Sequence, residues 1–218
     1  MKRLLDIILS FSALVLLAPF FVPVIVILKF TGEGEIFYIQ ERSGRDGNSF
    51  GLYKFATMLK NSPNIGAGEI TIRDDSRVLP FGKFLRKTKL NELPQLWNIF
   101  IGDMSLVGPR PMVLNTYKHY PEAARKKLDM IRPGLTGIGS IVFRDEERYL
   151  TDCNKPMEFY KEHIIPYKSD LELWFVQNNT TWLYIKIIIV TAWVVIFPSS
   201  NIADKAFVGI PRLPESLI

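Results

Sequence analysis

A run of basic residues, Arg73, Arg77, Lys83, Arg86, Lys87 and Lys89, is followed by Arg110 within Gly108-Pro109-Arg110-Pro111. Planar guanidinium groups bind phosphate oxygens through paired hydrogen bonds, so Arg86 and Arg110 are the members best suited to a phosphate. Prolines on both sides of Arg110 fix its backbone and reduce the entropy lost in aiming the side chain. The same run suits anionic lipid headgroups if a membrane segment lies beside it. Lys87 and Lys89 read more simply as a solvated helix face. Two distant histidines, His119 and His163, and the single Cys153 argue against a Ser-His-Asp triad, a Cys-built zinc site or a disulfide framework.

These residues need elements to hold them. Glu35–Gln40 and Ser49–Phe55 flank the turn-rich Gly44-Arg45-Asp46-Gly47-Asn48, which predicts a β-hairpin. Residues 61–76 are polar, with Gly and Pro, and read as a loop. One helix is expected near Pro80 and another near Leu90. Leu90, Leu93, Trp97, Phe100 and Ile101 recur at helical spacing as an apolar face; Asn91, Gln95 and Asn98 share a different, polar face with Glu92 beside it.

From Leu4 to Leu28 the only ionisable residue is Asp6, and Met1-Lys2-Arg3 and Lys29 flank the run. A helix of this length could cross a ~30 Å hydrocarbon core. It lacks the small-residue cleavage site of a signal peptide, so it is expected to remain attached. Pro19 and Pro23 predict a kink or break. With Lys or Arg on both flanks, a span and a re-entrant hairpin are both open. Asp6 is expected at headgroup level, where a carboxylate is tolerated. Near the other end, Tyr184 to Phe197 is almost wholly apolar and rich in aromatics. It is short for a span and fits an interfacial helix, and the residues beyond Pro198 read as a loosely held polar tail.

The 218 residues carry 27 Lys+Arg against 22 Asp+Glu, a formal charge of +5, with 48% hydrophobic residues. That apolar fraction excludes a disordered chain. Nucleic acid could take up the positive charge, but the apolar anchor argues against it.

Leu85-Arg86-Lys87-Thr88-Lys89-Leu90-Asn91-Glu92-Leu93-Pro94-Gln95-Leu96-Trp97-Asn98 runs into Gly102-Asp103-Met104-Ser105-Leu106-Val107-Gly108-Pro109-Arg110-Pro111, and Arg132-Pro133-Gly134-Leu135-Thr136-Gly137 follows. Gln40-Glu41-Arg42, Tyr53-Lys54-Phe55 and Asp75-Ser76-Arg77-Val78 precede them. Several separated motifs in this order resemble the bacterial sugar transferases, the small monotopic phosphoglycosyl transferases. The resemblance implies a helix-rich α+β fold. Residues 1–30 would form a re-entrant membrane helix broken at Pro19. Residues 31–198 would form a cytoplasmic catalytic domain with a small β-hairpin and interfacial amphipathic helices, and residues 199–218 a polar tail. It also implies transfer of a sugar-1-phosphate from a UDP-sugar to polyprenol (undecaprenyl) phosphate, with release of UMP and Mg²⁺ as cofactor. The setting would be the cytoplasmic face of the bacterial inner membrane, with later glycosyltransferases as partners.

In that family an Asp-Glu pair at a helix start is catalytic. The Asp attacks the β-phosphate and the Glu helps to hold Mg²⁺. The corresponding pair here is Asn91-Glu92, and a carboxamide is a poor nucleophile. Arg86, Arg110 and Arg144 match phosphate-contact positions. After Thr136-Gly137 the chain departs again, with Asp145-Glu146-Glu147 following Arg144. Asp145 and Glu146 are therefore alternative carboxylates. The two departures leave open an active branch with altered chemistry and a catalytically disabled binding homologue that acts with a partner enzyme.

Overall fold

The computed structural model describes residues 1–65, 75–151, 155–197, 200, 202 and 206–217. Arg73, Cys153 and Pro198 lie outside the described residues. The fold is helix-rich α+β and begins with a long apolar helix, α1 (Lys2–Phe30). A hairpin follows, β1 (Phe37–Ser43) with β2 (Ser49–Phe55), paired Phe37↔Phe55 through Ser43↔Ser49 around the expected turn. Next come α2 (Pro80–Lys87), a 3₁₀ turn at Leu90–Glu92 and α3 (Gln95–Ile101). Strands β3 (Ser105–Val107) and β4 (Gly134–Thr136) pair in parallel, with α4 (Leu114–Tyr117) and α5 (Glu122–Leu128) between them. The rest of the body is α6 (Ile138–Val142), α7 (Glu147–Thr151), α8 (Pro156–Phe159), a π-helical turn at Tyr160–Ile164, α9 (Ile165–Gln177) and α10 (Thr181–Ile196). The largest core gathers Ile138, Ile141, Ile164, Leu171, Phe175, Tyr184 and Ile187.

Helix α1 is assigned without interruption through Pro19 and Pro23, so the expected break does not divide it. One of its faces packs on the body along its length. Ala13, Leu14 and Leu17 meet Leu52, Leu96 and Ile99, while Phe21, Val24, Ile25 and Leu28 meet Phe55 and Leu85. Its opposite face exposes Leu4, Ile8, Phe11, Val15, Leu16, Phe20, Val22 and Val26. Asp6 is buried within the protein, and accepts hydrogen bonds from Tyr184 Oη (2.6 Å), the Leu106 N–H (2.8 Å) and Ser105 Oγ (3.0 Å). Arg3 donates to the carbonyls of Ile99 (2.6 Å) and Phe100 (2.8 Å), in the last turn of α3. Those carbonyls have no partner within their own helix, and a cation there also favours the helix dipole.

The inward side of α3 is mixed, with polar residues buried beside Leu96 and Ile99. Gln95 and Asn98 point inward, while Trp97 and Ile101 face out. Asn98 is fully buried because it completes the edge of β2, accepting from the Tyr53 N–H (3.0 Å) and donating to the Gly51 carbonyl (2.8 Å). An edge strand is thereby paired without another strand. The outward ring of Trp97 meets Phe100, which in turn meets Phe11 of α1, each at 5.8 Å between centroids.

Helix α10 turns Leu183, Tyr184, Ile187, Val190 and Val194 into the body and leaves Trp182, Ile185, Ile189 and Trp193 exposed. The end of the chain is not loosely held: Phe207 and Leu217 are buried in the main core and Tyr167 Oη donates to the Pro211 carbonyl (3.0 Å). Polar composition hides these widely spaced apolar anchors. Arg77 is structural rather than part of a phosphate surface: it is buried in an ion pair with Asp75 and donates to the Ser62 carbonyl (2.8 Å).

Candidate functional site

Arg110 is aimed by a close crossing of three backbone segments. The Gly108 N–H donates to the Thr136 carbonyl (2.9 Å) and the Gly134 N–H to the Pro109 carbonyl (2.8 Å). A Cβ on Gly134 would lie 2.0 Å from the Gly108 nitrogen, so only glycine allows this approach. On the other side the Ser43 N–H donates to the Met112 carbonyl (2.9 Å), which fixes the loop to the end of β1. Gly134→Ala is expected to destabilise the protein by about 3 kcal/mol, because the backbone cannot yield, and thermal unfolding in detergent measures this.

Lys89, at φ +59°, makes the sharp turn that delivers the 3₁₀ segment Leu90–Glu92. A non-glycine residue in this region is disfavoured and needs surrounding structure to hold it. The turn buries Asn91 and places Glu92 Oε1 3.1 Å from Arg110 Nη2. Glu92 Oε2 has no hydrogen-bond donor among the described residues. Burial pushes the Glu92 carboxyl up, but Arg110, Lys54 and Lys89 outweigh it and hold the group at about 2. Asn91 Oδ1 is buried with no donor among the described residues, a rare condition for a polar atom.

The surrounding cations come from separate elements. The Lys54 side chain on β2 makes no hydrogen bond among the described residues, and burial with Arg42 beside it lowers its ammonium from 10.5 to about 7. Arg42, at the end of β1, donates to Gln40 and to the Pro111 carbonyl (3.3 Å), and burial followed by Arg110 lowers it to about 10. Arg86 on α2 contacts Met58 Sδ (3.7 Å) and adds to the field that depresses Lys54. Arg42, Leu52, Lys54, Gln95, Arg110, Pro111 and Gly134 line one cleft. Three cations, Arg42, Lys54 and Arg110, beside one ionised carboxylate leave an excess of positive charge, and such a cleft accepts a group with several anionic oxygens.

The structure therefore brings Glu92 and Arg110 together, with Asn91 adjacent in the chain and Arg86 acting on the neighbouring Lys54. Arg144 does not join them through its hydrogen bond to the Val194 carbonyl (2.8 Å), near the C-terminal end of α10. Such a carbonyl attracts an arginine as readily as a phosphate does. Asp145 is exposed. Glu146 is held at 2.6 Å by Lys168 Nζ, which also donates to Tyr160 Oη at 3.2 Å. Behind the loop, the buried Glu172 accepts from the Arg110 N–H (3.3 Å), and burial raises its carboxyl to about 7.

Sequence reasoning does not single out Lys54, Arg42, Tyr160, Lys168 or Glu172 as site residues. Arg42 and Lys54 do stand inside Gln40-Glu41-Arg42 and Tyr53-Lys54-Phe55. A lysine in a strand between aromatics is the signal that could have found Lys54. For Lys168 and Glu172 no sequence signal separates them from solvated residues of a charged helix.

The sequence model of the family described as bacterial sugar transferase matches residues 1–198. The exopolysaccharide production protein ExoY of Sinorhizobium fredii is 40% identical over 164 residues, 69% of this chain and 72% of that protein. An undecaprenyl-phosphate galactose phosphotransferase of Salmonella typhimurium is 32% identical over 211 residues, 90% of this chain and 40% of its own length. A UDP-glucose:undecaprenyl-phosphate glucose-1-phosphate transferase of Klebsiella pneumoniae is 32% identical over 195 residues, 88% of this chain and 39% of its own. The chain thus spans about two-fifths of the length of these last two relatives.

Proposed function

The chain belongs to the bacterial sugar transferase family, and on that premise we propose that it transfers a sugar-1-phosphate from a UDP-sugar to undecaprenyl phosphate, releasing UMP and starting a surface glycan. The observation that carries this reading is the cleft lined by Arg42, Lys54 and Arg110, the last of which is paired with the ionised Glu92. A diphosphate bound there meets guanidinium groups that offset the charge developing on the transferred phosphoryl group. The names of the relatives supply the lipid acceptor. Later glycosyltransferases would take the product.

Glu92 fits the family's Mg²⁺: it is ionised, one oxygen is engaged by Arg110, and the other has no donor among the described residues. Mg²⁺ is commonly bound through one or two carboxylates together with substrate phosphates. When bound through Glu92, it would supply positive charge that neutralises phosphate oxygens. Arg110 orients the Glu92 carboxylate, Lys54 and Arg42 bind the diphosphate, and the apolar surroundings keep those charges poorly screened.

The arrangement of α1 supports attachment from one face of the membrane. A span separates its ends by ~30 Å of hydrocarbon. Here Arg3 near one end binds the carbonyls of α3, and Leu28 near the other packs on Phe55 and Leu85 of the same body. The exposed apolar surfaces of α1, α3 and α10 then face lipid, with Trp97, Trp182 and Trp193 at its boundary. Residues 1–30 seat the chain in one leaflet and residues 31–198 form the catalytic body at the cytoplasmic face.

Lys54 gives the reaction a pH signature. Folded, it releases its proton near pH 7; unfolded, near 10.5. Between these values the unfolded chain holds more protons, so this group's contribution to stability rises with pH. The positive charge of the free cleft falls over the same interval. UDP-sugar affinity is therefore expected to weaken above about pH 7, with proton uptake on binding at about pH 8. Calorimetry in buffers of different ionisation enthalpy measures that uptake, which Lys54→Met should abolish.

Asn91 favours a second reading, a disabled homologue that binds substrate for a partner enzyme. The deciding experiment measures UMP release from a panel of UDP-sugars with undecaprenyl phosphate and Mg²⁺, using this chain and Asn91→Asp. Release by the unaltered chain supports transfer. Release only from Asn91→Asp supports the binding homologue, and release from neither overturns the transferase reading.

A further inference from the structure

Pro109-Arg110-Pro111 has a single backbone N–H, that of Arg110, because proline carries none. Its acceptor comes from far along the chain: Glu172 Oε1, on α9, at 3.3 Å. The carboxyl is fitted to this place. It is buried, and a Cβ on Gly139, in the first turn of α6, would collide with Oε1, so glycine there leaves room for it. Glu172 Oε2 is buried with no hydrogen-bond partner among the described residues. Lys168, one turn earlier on α9, does not supply one: its ammonium bonds Glu146 and Tyr160. The carboxyl and the Arg110 loop also line one cavity with Tyr117, Tyr120 and Leu128. Packing behind the loop is therefore incomplete, and the hydrogen bond to Glu172 holds it on that side. A buried carboxyl with one long hydrogen bond contributes less to stability than an apolar residue of similar volume, so its use lies in what it holds.

Resting on the phosphate role of Arg110 in the transfer proposed above, we infer that Glu172 is a positioning residue for that arginine. The Gly134–Pro109 and Ser43–Met112 hydrogen bonds pin the loop on either side of Arg110, and Glu172 pins its middle. Arg110 Nη2 lies 3.1 Å from Glu92 Oε1, so a shift of the Arg110 backbone misaligns the guanidinium with both Glu92 and the diphosphate. A displacement of about 1 Å at such a group can cost about a hundredfold in rate.

The test is a double-mutant cycle on the full chain in detergent, with Glu172→Met, Arg110→Ala and the pair. It is read in UMP release with a UDP-sugar and undecaprenyl phosphate and, in parallel, in UDP affinity by calorimetry. Glu172→Met should melt within about 3 °C of the unaltered chain, lose about ten- to a hundredfold in kcat with less change in KM, and weaken UDP severalfold. Glu172→Gln, which keeps an acceptor oxygen, should recover most of the loss. In the Arg110→Ala background Glu172→Met should cost no more than about twofold in either readout, because the group it positions is gone. A carboxyl with only a structural role would cost the same factor with and without Arg110, and that result overturns the assignment. So does full activity in Glu172→Met, loss of its cooperative melt, or a Glu172→Gln as impaired as Glu172→Met. Silence in UMP release from the unaltered chain and from Asn91→Asp overturns the transferase reading, and the cycle in UDP affinity then decides the role of Glu172 by itself.

Discussion

If the chain carries out the proposed transfer, replacing Arg110 by alanine is expected to lower UMP release by about a hundred- to a thousandfold, the usual consequence of removing one preorganised donor at a phosphoryl or acyl centre. Arg110→Lys restores only part of this. A lysine keeps the charge but not the planar fork that reaches a phosphate and Glu92 together. The loss should fall on kcat more than on KM, because the charge that Arg110 offsets develops during transfer. The alanine variant carries a second signature. Arg110 is the strongest of the cations that hold Glu92 at about 2. Without it, burial pulls the Glu92 carboxyl upward. The low-pH limb of the residual activity therefore moves to higher pH than in the unaltered chain. A pH–rate profile that keeps its acid limb would show that another cation controls Glu92.

Asp6→Ala is expected to lower stability by about 3 kcal/mol and to release α1 from the body. Its carboxylate accepts from Tyr184 of α10, from Ser105 and from the Leu106 N–H, so three elements meet at one buried side chain. Alanine leaves the phenol and the backbone donor unsatisfied in an apolar setting, at about 1–3 kcal/mol each. Ser105 can rotate to another acceptor, which limits the total. Asp6→Asn retains one acceptor oxygen and costs less, and Tyr184→Phe removes one bond and costs about 1 kcal/mol. Thermal unfolding in detergent reads the stability. Trypsin cleavage after Lys29 reads the release of α1, whose Leu28 is otherwise buried against Phe55 and Leu85. If Asp6→Ala melts as the unaltered chain does, the apolar stripe from Ala13 to Leu28 holds the helix by itself.

Much of the organisation is legible in the amino-acid sequence. The hairpin follows from two alternating stretches around Gly44–Asn48, and β2 begins and ends where its residues predict. Helix α2 starts at Pro80, where the missing proline N–H costs nothing. Arg110 between its prolines and Glu92 after Asn91 meet at 3.1 Å. Each of these features rests on short-range chemistry, a turn, a helix start or a rigid loop, which a sequence carries within a few residues.

The departures share one physical cause. The polarity of its own helix places Asp6 at a membrane boundary, yet Tyr184 and Ser105, far along the chain, decide its surroundings. Gln95 and Asn98 turn inward beside Leu96 and Ile99 because the edge of β2 needs Asn98, while Trp97 and Ile101 turn out, a choice that periodicity cannot make. Arg144 donates to the Val194 carbonyl near the end of α10, a partner that only packing reveals.

The amino-acid sequence by itself determined the family, the apolar anchor, the hairpin and the two residues Glu92 and Arg110 at the centre of the site. Only the tertiary structure decided which cations join them, that Lys54 and Arg42 count and Arg77 does not, and that Glu146 is held by a buried lysine. Charge and type are written at each position, but a field is the sum over neighbours brought together from distant positions, and burial sets how strongly each one is felt.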